Sequence, residues 1–287
     1  MRDFFDVSSA SDNLYRILSK SRDAASYVSE LWGSAEPYLD DGRPEAAAND
    51  FHSVFWEMYL VAALLDRGLP VTKRELRRRR NGGPDIQIGD VDAWVEAVTA
   101  GEGSGDDAVP PLRTDGSFAF APDIEILLRI TNAIDAKWKK YNAYRESGLV
   151  KSGEPFIIAI NGARLPCARQ GPGGAPRIVR AVFGIGPLVV LLDPETGQCV
   201  GEQFVPMPSV IKSSGAEVET GYFCDSQYSG ISAVMWGTVD AWNRPDTFGR
   251  DIFLVHNPLA AVPLSRGWFR EGVEFWAEDG KVFRRSW

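Results

Sequence analysis

A continuous apolar run, Pro155-Phe156-Ile157-Ile158-Ala159-Ile160-Asn161, constrains the fold of this chain most strongly. Successive side chains of a strand point to opposite sides of a sheet, so a strand that is apolar at every position must be covered on both faces. The run therefore predicts a central strand, and an α/β (or α+β) fold class. Further strands are predicted at residues 200–205, 231–236 and 252–255, and residues 178–183 and 188–192 fit further strands or a short helix.

Two acidic residues lie on a predicted β-hairpin. Asp85 precedes the short run Ile86-Gln87-Ile88, Glu96 lies within Ala93-Trp94-Val95-Glu96-Ala97-Val98, and residues 89–92 between them are typical of a turn. If the two strands pair antiparallel, both carboxylates point at the same place. Acidic groups this close in an apolar setting repel each other, so they need a cation or a shared proton. The hairpin is therefore our first candidate for a functional site.

A third carboxylate lies on a strong predicted helix that runs from Pro44 to Arg67 and is ended by Gly68-Leu69-Pro70. The centre of this helix is apolar nearly all round, which indicates burial on most sides. Glu57 lies inside it and on no obvious solvent stripe. It is either an edge glutamate with access to water or a site residue. Because a buried carboxylate needs a partner, the acidic hairpin favours the second interpretation.

A lysine lies on the apolar face of a later helix, predicted from Asp123 to about Ser147. At about 100° per residue, Lys137 falls within the arc that contains Ile130, Ile134 and Tyr141, whereas Lys139 points to the far side. A lysine in this position either extends past its apolar neighbours into water or points at a site.

A basic cluster precedes the hairpin in this otherwise acidic chain. Phosphate groups are natural partners for such a cluster, and the simpler alternative is a solvated turn that offsets nearby acids. Its position next to the acidic hairpin favours contacts with nucleic acid. The residues are Lys73, Arg74, Arg77, Arg78, Arg79 and Arg80.

Composition excludes several classes of protein. The net charge of −8 over 287 residues argues against a generally basic nucleic-acid coat protein, although a local basic groove is compatible with it. No run of 18 apolar residues is present and the start lacks the apolar core of a secretory signal, so we expect no membrane segment and a cytoplasmic location. Three widely separated cysteines and two histidines argue against a disulfide framework and a zinc site. We expect an N-terminal helical segment (1–44), an α/β core with a C-terminal elaboration (45–262) and a C-terminal packing segment (263–287).

The order of these elements resembles the PD-(D/E)XK nuclease superfamily, the restriction-endonuclease-like fold. The resemblance covers roughly residues 45–161: a helix with Glu57, a strand with Pro84-Asp85, a strand with Glu96, a helix with Lys137, then an apolar strand. It implies a central mixed sheet flanked by helices. It also implies that the three carboxylates bind Mg²⁺ or Mn²⁺, with the carbonyl of Ala97 as an extra ligand.

One position departs from the family pattern. Val98 stands where the family's lysine is expected. Some members carry that lysine on the following helix, and by this resemblance Lys137 would replace it. Tyr141, one turn further, resembles the family's helix-borne polar-x-x-x-Tyr element and would contact nucleic acid.

The resemblance implies a metal-dependent nuclease that hydrolyses DNA, with Glu57, Asp85, Glu96 and Lys137 as the catalytic set. Val98 and the net negative charge leave a second interpretation open, a catalytically degenerate nuclease fold that binds nucleic acid or protein. A third is a hydrolase of sugars or small molecules that works through paired carboxylates, which leaves Lys137 and the arginines unexplained. The residues also leave open whether the chain forms a homodimer.

Overall fold

A seven-stranded mixed sheet forms the centre of the computed structural model, which describes residues 4–7, 9–78, 82–89, 92–117, 120–169 and 174–287. The strands in chain order are β1 (Ile86–Ile88), β2 (Ala93–Thr99), β3 (Phe156–Asn161), β4 (Ile185–Leu192), β5 (Cys199–Pro206), β6 (Ser209–Ile211), β7 (Glu217–Glu219), β8 (Ala233–Gly237), β9 (Phe253–His256), β10 (Val273–Glu278) and β11 (Lys281–Ser286). The α-helices are α1 (Asn13–Leu18), α2 (Arg22–Ala35), α3 (Arg43–Ala47), α4 (Phe51–Asp66), α5 (Asp123–Glu146) and α6 (Arg177–Phe183).

The strand order of the sheet is β1-β2-β3-β8-β9-β10-β11. Strands β2, β3 and β8 run parallel, and β1 is antiparallel to β2 at one edge. On the other side β8 pairs antiparallel with β9, β9 parallel with β10, and β10 antiparallel with β11. The chain between β3 and β8 contributes two separate two-stranded ribbons, β4–β5 and β6–β7.

Helices cover both faces of the sheet and bury two apolar clusters. On one face, α1 to α4 pack against a cluster that includes Ile86, Val95 and Ile157. On the other face, α5 and α6 pack against Trp94, Ile158 and their neighbours. All six residues of β3 are buried, which confirms the central strand predicted from its unbroken apolar run.

The predicted helix from Pro44 to Arg67 is wrong in its continuity, because α3 and α4 are separate helices. Helix α3 ends at Ala47, and Asp50 is the N-cap of α4. The Asp50 side chain accepts a hydrogen bond from the Ser53 amide and a second one, of 2.7 Å, from the Ser53 hydroxyl. A capping aspartate satisfies the amides that a helix start leaves free, so α4 begins at Phe51. The helical character predicted for residues 1–44 is confirmed by α1 and α2, and the helix predicted from Asp123 to about Ser147 is confirmed by α5.

Residues 263–287 do more than pack on the core, since they supply β10 and β11 to the central sheet. Their mixture of aromatic and charged residues hides the alternation of a strand. The N-terminal and C-terminal segments share one buried cluster with the sheet, because Phe4, Leu31 and Leu264 belong to it. Among the described helices, none combines the length and the apolar character that crossing a bilayer requires.

Candidate active site

The antiparallel pairing predicted for the acidic hairpin is confirmed. Ile86 pairs with Val95, and this register brings Asp85 opposite Glu96. Asp85 lies just before β1, at the edge of the sheet, where its Oδ2 accepts a 2.7 Å hydrogen bond from the backbone amide of Ala97. Its side chain keeps 18% of its surface exposed, so the hairpin is open to solvent at this point.

Glu96 is held by side chains from a single face of α5. Its side chain is 1% exposed, and its Oε1 lies 2.7 Å from the Nζ of Lys137 and 3.0 Å from the Nζ of Lys140. Its Oε2 accepts a 3.3 Å hydrogen bond from the hydroxyl of Tyr144. Residues three and four apart on a helix share a face, which explains why these three donors reach one carboxylate. Lys137 therefore points at the site, as one of the two sequence interpretations had it.

Glu57 reaches the same region from the opposite face of the sheet. It lies on α4, and its Oε2 is 2.9 Å from the NH2 of Arg43. The same nitrogen lies 3.9 Å from Oδ1 of Asp85. Arg43 thus links the helix-borne carboxylate to the hairpin.

Three residues that contact the site carboxylates are not among the predicted site residues: Arg43, Lys140 and Tyr144. Arg43 belongs to the polar stretch Asp40-Asp41-Gly42-Arg43-Pro44, whose composition indicates only a break between helices. Gly42 has φ +75, a left-handed conformation that glycine adopts without strain. No periodicity predicts where such a residue points. Lys140 and Tyr144 carry a weak signal, since their spacing from Lys137 places them on the same helix face.

Burial and mutual repulsion raise the pKa values of two of the carboxyls. The pKa of Glu57 rises from 4.5 to about 8, chiefly because the group is buried and next because of the charge on Asp85, with Arg43 opposing. The pKa of Asp85 rises from 3.8 to about 6, again by burial first and then by the charge on Glu96, with Lys137 and the Ala97 amide opposing. Near neutral pH, Glu57 is therefore largely protonated, whereas Asp85 is largely ionised.

The donor set suits a hard divalent cation in its chemistry. The side-chain ligands that it offers are carboxylate oxygens, which Mg²⁺ prefers. However, no three His, Cys, Asp or Glu side chains of the described residues lie close enough to hold a metal ion by themselves. A metal ion bound here would need water or backbone oxygens as well.

The arginines of the basic cluster that the structure describes are engaged within the chain. Arg74 lies 2.7 Å from Asp41, and Arg77 pairs with Asp40 and donates to the carbonyl of Asp85 at 2.8 Å. Arg78 makes two hydrogen bonds, of 2.6 and 2.7 Å, to the carboxylate of Glu154. These contacts match the alternative in which the cluster offsets nearby acids, and Arg77 in addition holds the start of β1.

The remaining residues that were predicted to contact nucleic acid differ in their exposure and contacts. Lys73 is exposed, while Arg79 and Arg80 lie outside the described residues. Tyr141 is half-buried, stacked on Trp138 at 5.2 Å and in contact with the ring of Phe156 at 4.9 Å. The tyrosine of α5 that reaches the site is Tyr144.

Glu57, Asp85, Glu96 and Lys137 thus form one charged cluster, in which each carboxylate has a cation from the chain within 4 Å. No family model, no curated protein and no solved structure matches this chain. The resemblance to the PD-(D/E)XK superfamily accordingly rests on the residues of this chain alone.

Proposed function

We propose that this protein is a nuclease with a restriction-endonuclease-like core, which uses Mg²⁺ or Mn²⁺ to hydrolyse phosphodiester bonds of DNA. The observation that carries the proposal is the 2.7 Å ion pair between Lys137 and Glu96, directly across the hairpin from Asp85. A lysine from the following helix thereby stands beside the acidic pair, although the strand itself carries Val98. A buried lysine bonded to a carboxylate of the site is not a lysine that extends past apolar neighbours into water.

Each of the four site residues has its own role in such a reaction. Asp85 and Glu96 would hold the metal ion with the carbonyl of Ala97, and Glu57 would support it through water. A bound Mg²⁺ supplies a more acidic water and stabilises negative charge on the phosphate. Lys137 orients the attacking water and offsets charge that develops on the phosphate oxygens.

Cleavage of plasmid DNA with Mg²⁺ or Mn²⁺ tests the proposal. Replacing Asp85 with Asn keeps its shape and removes its charge, and we expect the rate to fall at least about 100-fold. Lys137→Met should lower the cleavage rate by a similar factor. Lys139→Met, on the far side of the same helix, should leave the rate unchanged. Asp106→Asn, in an exposed segment, is the control for the aspartate variant. Equal rates for the wild type and Asp85→Asn would refute the proposal.

A second candidate function is binding of nucleic acid or protein by a fold that has lost catalysis. The observation that favours it is the occupation of Glu96: its two oxygens already meet Lys137, Lys140 and Tyr144. Calorimetric titration with Mg²⁺ and Mn²⁺ separates the two candidates. Metal binding that Asp85→Asn abolishes favours the nuclease, and the absence of binding to the wild type favours the degenerate site.

DNA is the partner that the proposed reaction requires. A homodimer is not needed for the chemistry, because the four predicted site residues come together within one chain. A cytoplasmic location stays a prediction.

A further inference from the structure

The β4–β5 ribbon exposes an unusual amount of apolar surface. It consists of two eight-residue strands outside the central sheet, and Leu192 and Val200 keep 60% and 65% of their surface accessible. Leu188 and Phe204, paired across the ribbon, are also exposed. Two-stranded ribbons are marginal on their own, and apolar patches of this kind mark surfaces where proteins associate.

The last strand of the central sheet lies beside this ribbon and has a free edge. All six residues of β11 are exposed, and β11 pairs only with β10 among the described strands. An edge of this kind presents unpaired amides and carbonyls to any further strand. A groove of about 820 Å³ separates the two elements, lined by Phe204 and Val205 of the ribbon and by Val282, Phe283 and Arg284 of β11.

The ribbon and β11 carry opposite charges. Residues 185–206 contain three acidic residues and no Lys, Arg or His, whereas residues 281–286 contain three basic residues and no acid. Within the described part of the chain, none of these six side chains forms an ion pair with another residue. The acidic residues are Asp193 and Glu195, in the turn between β4 and β5, and Glu202 on β5; the basic ones are Lys281, Arg284 and Arg285, of which Lys281 and Arg284 line the groove.

We propose that this surface is the interface of a homodimer, in which the β11 strands of two copies pair antiparallel and each ribbon covers the β11 of its partner. An antiparallel pair of identical strands is compatible with a two-fold axis, the commonest symmetry of homo-oligomers. Two basic strands side by side repel each other unless acid lies nearby, and the ribbon supplies three carboxylates. Each chain carries both the acidic ribbon and the basic β11. In a two-fold dimer, the ribbon of each copy therefore faces the β11 of the other copy.

The number of residues in the ribbon and β11 gives the scale of the proposed interface. Two eight-residue strands and one six-residue strand from each copy approach the roughly 20–30 residues per side of a standard interface. A nucleic acid fits the basic strand but would face the three carboxylates of the ribbon. The dimer is independent of the proposed nuclease activity.

Light scattering and sedimentation at about 1 to 100 µM chain test the proposal in the wild type, with no variant needed. We expect a species of twice the 31.6 kDa chain mass that dissociates on dilution. A monomer throughout this range would overturn the proposal.

A charge exchange tests the arrangement of the two walls. Glu202 pairs across the ribbon with Val190 and lies two residues from Phe204, so its side chain projects from the same face of β5 as that of Phe204, which lines the groove. Glu202→Arg alone and Arg284→Glu alone should each weaken dimerisation at least about tenfold, and the double variant should recover most of the loss. Glu217→Arg, on the exposed β6–β7 ribbon, is the matched control and should have no effect.

Circular dichroism and thermal melting establish that each variant is folded. Dimerisation that neither single reversal weakens would overturn the proposed contact. A chain that stays monomeric, and whose affinity for a labelled oligonucleotide falls in Arg284→Glu, would assign the groove to nucleic acid and overturn the dimer.

Discussion

Glu57 should make the stability of this protein fall as the pH rises, and Glu57→Gln should remove most of that fall. The folded protein holds the Glu57 proton up to a pKa of about 8, whereas the unfolded chain releases it near 4.5. Between these values the native state binds more protons than the unfolded state. By linkage, the free energy of unfolding therefore decreases with pH in this window.

The magnitude follows from the width of the window. Each pH unit contributes at most about 1.4 kcal/mol, and over the interval from 4.5 to about 8 this slope integrates to roughly 5 kcal/mol. Water that enters beside the partly exposed Asp85 and Arg43 lessens the penalty, so we expect about 2–5 kcal/mol. Asp85, with its pKa raised to about 6, adds a decrease in the same direction at lower pH. The amide of Glu57→Gln keeps the shape of the side chain and does not titrate.

Urea unfolding at a series of pH values from about 5 to 8.5, followed by the fluorescence of the nine tryptophans, measures the effect. The wild type should lose stability across the series, whereas Glu57→Gln should keep only the decrease that Asp85 contributes up to about pH 6, and should exceed the wild type at the alkaline end. Glu75→Gln, at an exposed position of the basic cluster, should follow the wild type. If the curves of the wild type and Glu57→Gln run parallel, the carboxyl of Glu57 does not titrate as its burial implies, and the reasoning fails.

Two further substitutions test the framework around the site. Asp50→Ala should lower the free energy of unfolding by about 1 kcal/mol through loss of the α4 cap, and equal urea midpoints would contradict that role. Glu154→Gln should cost roughly 2–3 kcal/mol in the same assay, because its carboxylate accepts from Arg78, from Trp94 Nε1 and from the Lys151 amide. An unchanged midpoint would show that Arg78 finds another partner.

Local patterns predicted the elements that bear the site. Apolar patterns in the sequence predicted β3, the two short strands next to Asp85 and around Glu96, and α5. Each of these elements lies where its pattern indicates. The inward position of Lys137 followed from the same arithmetic and is confirmed by its bond to Glu96. The break at Asp50 was missed because a capping aspartate inside a helical pattern is a single-residue signal.

Contacts between distant segments were decided only by the tertiary structure. The sequence by itself determined that three carboxylates lie on buried elements, since burial follows from hydrophobic periodicity. Which cations neutralise them depends on how helices and loops pack. Arg43 reaches Glu57 from the start of α3, whereas the arginines near the hairpin pair with Asp40, Asp41 and Glu154. Ion pairs have no sequence period, because their geometry is set by the folded backbone. For the same reason the acidic ribbon and the basic edge strand, 75 or more residues apart in the chain, face each other only once the sheet is complete.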